Sequence, residues 1–170
     1  MSWSLTIGRF GATTPRVHLT FFLLLAWIGV SAWLKGGAPA ARDSVLFIAL
    51  IFGCVVLHEF GHIVMARRFG IETPEVILLP IGGVALMPRM PEKPAQELAV
   101  AIAGPMVNSV IAFLLFLLLG AIHPDNLARI DDPRVSLLAR LAAANVFLAV
   151  FNMIPAFPMD GAASCARSSP

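Results

Sequence analysis

Four long apolar segments dominate the chain, at residues 19–34, 44–66, 98–122 and 135–157. Their lengths lie near the roughly 20 residues that a helix needs to cross a bilayer. Trp27 and Trp33 lie in and near the end of the first segment, as is typical of a membrane interface, and Arg67-Arg68 closes the second. The pattern predicts an α-helical integral membrane protein with about four transmembrane helices.

The stretch between the second and third apolar segments has a different pattern. Two short apolar runs, at residues 75–80 and 84–87, lie around Pro80-Ile81-Gly82-Gly83. Short apolar runs separated by Pro and Gly are typical of a β-hairpin. Because the stretch is too apolar for an aqueous loop and unpaired backbone is costly in lipid, we predict a small β-hairpin or strand element. Gly82-Gly83 would form its turn, and the element would lie against the membrane-facing interior.

Composition and charge agree with a membrane protein. Hydrophobic residues make up 58% of the chain and charged residues 13%, against about 25% charged in soluble domains. A net charge of +2 without any basic run argues against a nucleic-acid partner. Arg67-Arg68 directly follows a span, which favours the cytoplasmic side for that end. We therefore expect a multi-pass protein of the plasma membrane, surrounded by lipid, with a cytoplasmic N-terminus.

The second apolar segment contains the motif His58-Glu59-Phe60-Gly61-His62. Side chains four residues apart project from one face of a helix, so the two imidazoles can bind one Zn²⁺ at about 2.0–2.1 Å. Glu59 lies beside the first ligand, where it can accept a proton from a metal-bound water, the general-base role of H-E-x-x-H metalloproteases. Zinc would lower the pKa of that water to about 7.

The same residues could instead be polar groups at a helix end, or histidines packed against another helix. For this composition, chance yields such a motif in roughly half a per cent of chains. Each ionisable group within a span costs roughly 2–3 kcal/mol, so three of them in five residues require a strong partner. The motif therefore predicts one zinc ion per chain, with His58 and His62 as ligands.

A catalytic zinc site needs a third protein ligand and an open position. For His18 and His123, at segment ends, we expect solvated or packing roles, and the acidic residues between the third and fourth spans lie on the opposite side of the membrane. Asp160 follows the fourth span, where two prolines unwind the helix and Gly161 permits a turn. Its predicted side of the membrane is that of His62, which makes Asp160 the third ligand; the alternative is a solvated interfacial carboxylate.

Taken together, these motifs resemble the site-2 protease family of intramembrane zinc proteases. The likeness rests on the H-E-x-x-H motif in one span and on Asn-x-x-Pro-x-x-Pro-x-Asp-Gly, at residues 152–161, after a later one. Pro80-Ile81-Gly82-Gly83 and the third span's Ala103-Gly104-Pro105, with Asn108, are similar to the same family. The resemblance extends from about residue 17 to 161 and is closest to the compact branch without an inserted PDZ domain.

The resemblance implies roles for particular residues. His58, His62 and Asp160 would be zinc ligands, and Glu59 the catalytic base. Asn152 and Asn108 would hold substrate or stabilise the oxyanion, although Asn108 is equally suited to helix packing. Gly82-Gly83 would offer a strand edge to an unwound substrate helix.

The end of the chain departs from the family pattern, which continues Asp-Gly-Gly-Arg. Residues 162–170 are neither apolar nor periodic. Restoring one G to a back-translated codon set gives Gly-Gly-Arg-Val-Leu from Gly161 onward, so we hypothesise a frameshift, which resequencing tests; the alternative is a naturally short form. We therefore predict a metalloprotease core at residues 1–161 and a tail at 162–170 outside the family pattern.

Three functions compete at this point. The leading prediction is a zinc metalloendopeptidase that hydrolyses peptide bonds within or near transmembrane segments of membrane-tethered regulatory proteins. The alternative is a truncated, non-catalytic membrane metal-binding pseudoprotease. A transporter using His and Asp as a relay explains intramembrane charges, but it does not require Glu59 beside His58.

Overall fold

The computed structural model describes residues 4–6, 13–71, 75–79, 82–86, 93–119 and 136–153. Its elements follow the order β1 (Ser4–Thr6), β2 (Thr14–His18), α1 (Leu19–Arg68), β3 (Glu75–Leu79), β4 (Gly82–Leu86), α2 (Pro94–Leu119) and α3 (Leu137–Met153). The molecule is mostly helical with a small sheet, as the sequence predicts.

Helix α1 is a helical hairpin rather than one straight rod. Gly37 has φ 70° and ψ −163°, a non-helical conformation that separates residues 19–36 from residues 38–68. Only glycine adopts this region without strain. Pro39 lies in the first turn after the break, where a missing N–H costs nothing. Phe21 of the first half stacks on Phe52 of the second, with ring centroids 3.8 Å apart, so the two halves pack against each other.

The ends of α1 are set by local hydrogen bonds. At its start, the His18 side chain accepts a hydrogen bond from the Thr20 backbone N–H at 3.3 Å and so caps the helix. At its end, Gly70 has φ 76°, and the N–H of Ile71 donates to the carbonyl of Ala66 at 3.1 Å. This Schellman-type termination stops the helix directly after Arg67-Arg68.

The sheet contains four strands in the order β1-β2-β3-β4. Strand β2 pairs parallel with β3, and the whole α1 hairpin forms the crossover between them. Strand β3 pairs antiparallel with β4, with Leu78 opposite Gly83 and Leu79 opposite Gly82. The strand pair is therefore present, but Gly82-Gly83 are the first residues of β4 and do not form the turn. Strands β1 and β2 were not predicted from the sequence. The location of the sheet relative to a membrane stays a prediction.

Within the described ranges, two helices, α1 and α2, are long and apolar enough to cross a membrane by length and composition, and α3 is a shorter apolar helix. The first two predicted spans correspond to the two halves of α1. The prediction left residues 35–43 outside any helix, whereas the structure makes all of them helical except Gly37. Helices α2 and α3 cover the described parts of the third and fourth predicted spans. Four membrane crossings remain a prediction.

The apolar core joins the sheet to the base of the α1 hairpin. Val17, Phe21 and Ile63 are buried together, with Leu25, Ile48, Phe52, Val56 and Phe60 packed around them. At the sheet, Arg67 Nη2 donates to the fully buried Thr13 Oγ1 at 2.7 Å. The end of α1 that follows His62 is thereby fixed against the strands.

Candidate metal centre

The two histidines of the motif converge on one point inside the protein. His58 and His62 are 4% and 5% exposed, and their Nε2 atoms lie 3.0 Å apart. Two ligands of one tetrahedral zinc ion, each at 2.0–2.1 Å, are separated by about 3.3 Å. The pair therefore already has nearly the separation that a shared metal ion requires.

The orientation of His62 is fixed by the neighbouring helix. Its Nδ1 lies 2.7 Å from the backbone carbonyl of Val100 in α2. Because a carbonyl only accepts, Nδ1 carries the proton, and in the neutral ring Nε2 carries the lone pair, 3.0 Å from His58 Nε2. A metal-binding histidine commonly donates its other ring N–H to such an acceptor, which fixes its tautomer.

Two glycines make room for the histidine pair. A Cβ added at Gly104 of α2 would collide first with His62 Nε2 and would lie 2.6 Å from His58 Nε2. A Cβ at Gly61 of α1 would lie 2.7 Å from the Ala103 carbonyl oxygen and 2.8 Å from Val107 Cγ2. The two helices therefore approach closely, and α2 presents bare backbone to the imidazoles. Small residues at helix contacts permit this approach in membranes.

This arrangement fits a zinc ion as far as the described residues reach. It provides two imidazole nitrogens near ligand spacing and the Val100 carbonyl that orients His62. At Gly104, no side chain competes for the space beside the imidazoles. Glu59 is buried beside them, 7% exposed. The described ranges contain no group of three His, Cys, Asp or Glu side chains that could hold a metal ion. Asp160, the third ligand predicted from the sequence, lies outside those ranges.

The remaining predicted site residues have different placements. Asn108 of α2 is fully buried, one turn after Gly104, and its side-chain N and O have no hydrogen-bond partner among the described residues. Asn152 is exposed in the last turn of α3. Gly82 and Gly83 lie in β4, which is an edge strand of the sheet. His123 and the acidic residues near it lie outside the described ranges.

Sequence reasoning missed the groups that shape the site. The role of the Val100 carbonyl could not be predicted, because every residue has a backbone carbonyl and the side chain does not reveal which one accepts. The roles of Gly61 and Gly104 had a detectable signal: glycines in apolar helices lower helix stability and often mark close helix contacts. Asn145 was also missed; it is fully buried and its Nδ2 lies 3.3 Å from Cys54 Sγ, one turn before His58.

Comparisons with known proteins agree with this geometry. Residues 46–131 match peptidase family M50. A zinc metalloprotease of Methanocaldococcus jannaschii is 38% identical over 162 residues, which cover 95% of this chain and 44% of that protein. Stage IV sporulation protein FB of Bacillus subtilis is 29% identical over 149 residues, covering 86% of this chain and 45% of that protein.

A solved structure shows the same fold. The site-2 protease from Methanocaldococcus jannaschii aligns with a TM-score of 0.67 and 31% identity, covering 94% of this chain and 68% of that one. The chain spans less than half the length of the curated relatives given above.

Proposed function

The chain belongs to peptidase family M50, the site-2 protease family, and from that premise we propose that it is an intramembrane zinc metalloendopeptidase. Its substrates would be membrane-tethered regulatory proteins, cut within or near their transmembrane segments. The family is membrane-embedded, and relatives of the chain include named zinc metalloproteases. The substrate class and the activity of this chain are part of the proposal.

One observation carries the proposal: the buried His58 and His62 with their Nε2 atoms 3.0 Å apart. Imidazole nitrogens are preferred zinc ligands, and a zinc ion held by both rings would offset part of the cost of burying ionisable groups in an apolar helix. The Val100 carbonyl fixes the tautomer of His62, so Nε2 carries the lone pair that would bind the zinc ion.

Each residue then has a chemical task. His58, His62 and Asp160 would hold one zinc ion per chain, which when bound supplies the Lewis acidity that makes a nucleophile of water near neutral pH. Glu59 accepts the proton that the attacking water loses and delivers a proton to the leaving amine. Asn152 and Asn108 would hold substrate or stabilise the developing oxyanion.

Substrate would reach the site through its backbone. A transmembrane helix shields its peptide bonds in hydrogen bonds, so the segment to be cut must first unwind. Strand β4 is an edge of the sheet and begins with Gly82-Gly83. An unwound segment could pair with this edge by strand addition, which would satisfy its N–H and C=O groups in the absence of water.

The proposed setting is the plasma membrane, which the chain crosses several times with its N-terminus in the cytoplasm. Under this orientation the sheet and the His62 end of α1 lie towards the cytoplasmic side. Arg67 and Arg68, in the last turn of α1, follow the positive-inside rule there.

The test is cleavage of a model transmembrane substrate by purified chain in lipid vesicles. We expect wild-type protein to bind zinc and cleave, and Glu59→Gln to keep zinc but lose cleavage by roughly 10²–10⁴-fold. Zinc binding without any wild-type cleavage would instead support a non-catalytic metal-binding pseudoprotease. Protein that binds no zinc would overturn both functions.

A further inference from the structure

Five of the eight buried residues of α3 are alanines. The buried alanines are Ala139, Ala142, Ala143, Ala144 and Ala149, and the helix packs chiefly against α2. A surface of such small side chains lets helices approach closely. It specifies their position along each other only weakly, because one alanine replaces another after a slip.

Among these alanines, Arg140 makes a directed contact with α1. It is 7% exposed, and its Nη1 lies 2.6 Å from Asp43 Oδ2. Its guanidinium carbon also lies 4.2 Å from the centroid of the Phe47 ring. An ion pair and a cation–π contact together constrain both the position and the plane of the guanidinium.

Asn145 makes a second directed contact, just over one turn further along α3. Its Nδ2 lies 3.3 Å from Cys54 Sγ and donates to its own helix at the Leu141 carbonyl, 2.8 Å away. Cys54 precedes His58 by four residues and shares its face of α1. The second contact therefore fixes α3 one turn away from the candidate metal ligands.

We propose that Arg140 and Asn145 are positioning residues that fix the register of α3 along α1. A slip of one turn would move α3 by about 5.4 Å, separate both contacts, and displace Asn152 and the chain that follows it. Because the proposed third ligand, Asp160, follows α3, the register determines whether the segment that carries it reaches His58 and His62. This second step rests on the proposed function; the register itself does not.

The chemistry of these contacts favours specificity over stability. The ion pair is enclosed on the Arg140 side, while the Asp43 side chain is 42% exposed. Such a pair contributes little net stability, since desolvation and solvent screening offset its attraction, and the best-attested role of a polar pair between helices is to set register. Between membrane helices, apolar side chains discriminate poorly because lipid is as apolar as they are. Directed polar contacts are then the groups that distinguish one register from its neighbours.

The test measures the position of α3 directly. Spin labels are attached at Val64→Cys and Val150→Cys, which are 52% and 59% exposed, in a Cys165→Ser chain whose Cys54 is buried. We expect a single distance in the parent chain. In the Arg140→Gln/Asn145→Leu chain it should shift or broaden by about 5 Å. Zinc affinity, measured by chelator competition, should fall roughly tenfold or more.

Matched variants separate positioning from general destabilisation. Arg42→Gln removes a neighbouring exposed cation and should leave both readouts unchanged. The exchanged pair Asp43→Arg/Arg140→Asp should restore the distance that Arg140→Asp alone disturbs, even if the latter unfolds more easily. An unchanged distance in the double variant overturns the register proposal, and a shifted distance with unchanged zinc affinity overturns its link to the site. Parent chain without zinc would refute the proposed function, while the distances still decide the register.

Discussion

The two halves of α1 are both apolar helices and pack against each other, yet their surroundings differ. In residues 19–36 only Phe21 is buried, and large side chains such as Trp27, Trp33 and Leu34 are mostly exposed. In residues 38–68 the buried positions are Phe47, Cys54, His58, Glu59, His62, Ile63 and Ala66. Every buried histidine and carboxylate of the hairpin lies in the second half.

The difference shows that hydropathy and burial carry separate information. Mean apolar character predicts that a segment prefers lipid, and both halves satisfy it. Ionisable side chains, in contrast, require protein on the side they face. The second half has this enclosure because α2 presents Gly104 and the Val100 carbonyl to it. In the first half, Gly29 lies opposite Val45 and Phe21 stacks on Phe52, whereas most of the other large side chains are exposed.

The largest effect is expected from Gly104→Ala, which removes the enclosure from the second half. The added methyl would occupy the point where His62 Nε2 and His58 Nε2 meet. We expect zinc affinity to fall by about 100-fold and stability to fall by about 1–3 kcal/mol from overpacking. Isothermal titration and chemical unfolding in micelles measure both. Unchanged zinc affinity would contradict the close approach of α2 to the histidines.

Gly61→Ala and Gly29→Ala compare the same change in the two halves. At Gly61 the new Cβ meets backbone, 2.7 Å from the Ala103 carbonyl oxygen, whereas at Gly29 it meets only Val45 Cγ2 at 3.1 Å. Backbone cannot move away but a valine methyl can, so Gly61→Ala should cost about 2 kcal/mol and Gly29→Ala less than about 1 kcal/mol. Equal costs would mean that the two halves are equally enclosed.

Phe21→Ala and Phe22→Ala sharpen the comparison within the first half. Phe21 is 7% exposed and stacks on Phe52, while its neighbour Phe22 is 44% exposed. Loss of packing at Phe21 should destabilise the hairpin by about 2 kcal/mol, and loss of Phe22 should change little because lipid replaces its contacts. The unfolding midpoints of the two variants provide the measurement. If Phe22→Ala destabilised the protein more than Phe21→Ala, the packing of Phe21 against the second half would be contradicted.

Gly53→Ala should have the smallest effect and the opposite sign. A Cβ at this position of α1 meets nothing within 4 Å. Because alanine loses less backbone entropy than glycine in a helix, the variant should gain about 0.5–1 kcal/mol. A loss of stability here would indicate a neighbour at Gly53 that the described residues do not include.

Much of this picture could be predicted from the sequence, for identifiable reasons. Charged groups in apolar runs are rare, so His58, Glu59 and His62 stand out without any structure. The β3–β4 strand pair and the helices follow from local patterns of apolar residues. The single-residue break at Gly37 could not be predicted, because Gly36-Gly37 with Pro39 suits a longer loop equally well. Strand β2 was missed because its partner, β3, lies beyond the whole of α1.

The candidate site shows the same division. Ligand spacing is local and therefore readable, whereas the enclosure is made by a second helix through a carbonyl and a missing side chain. The role of Arg140 has no local signal in the sequence, because its partners, Asp43 and Phe47, lie in another helix. Contacts across helices depend on register, and no local pattern encodes it. The roles of Asp160, Asn152 and Gly82-Gly83 stay predictions.

X-ray absorption spectroscopy of the zinc-loaded chain tests the central claim most directly. We predict about one zinc per chain with two imidazole ligands at about 2.0–2.1 Å. His62→Ala should remove one imidazole from the spectrum and weaken binding. Replacement of His18, which caps α1 far from the pair in sequence, should leave the spectrum unchanged. A zinc environment without imidazole, or one that His62→Ala leaves intact, would contradict the assignment of His58 and His62 as the metal centre.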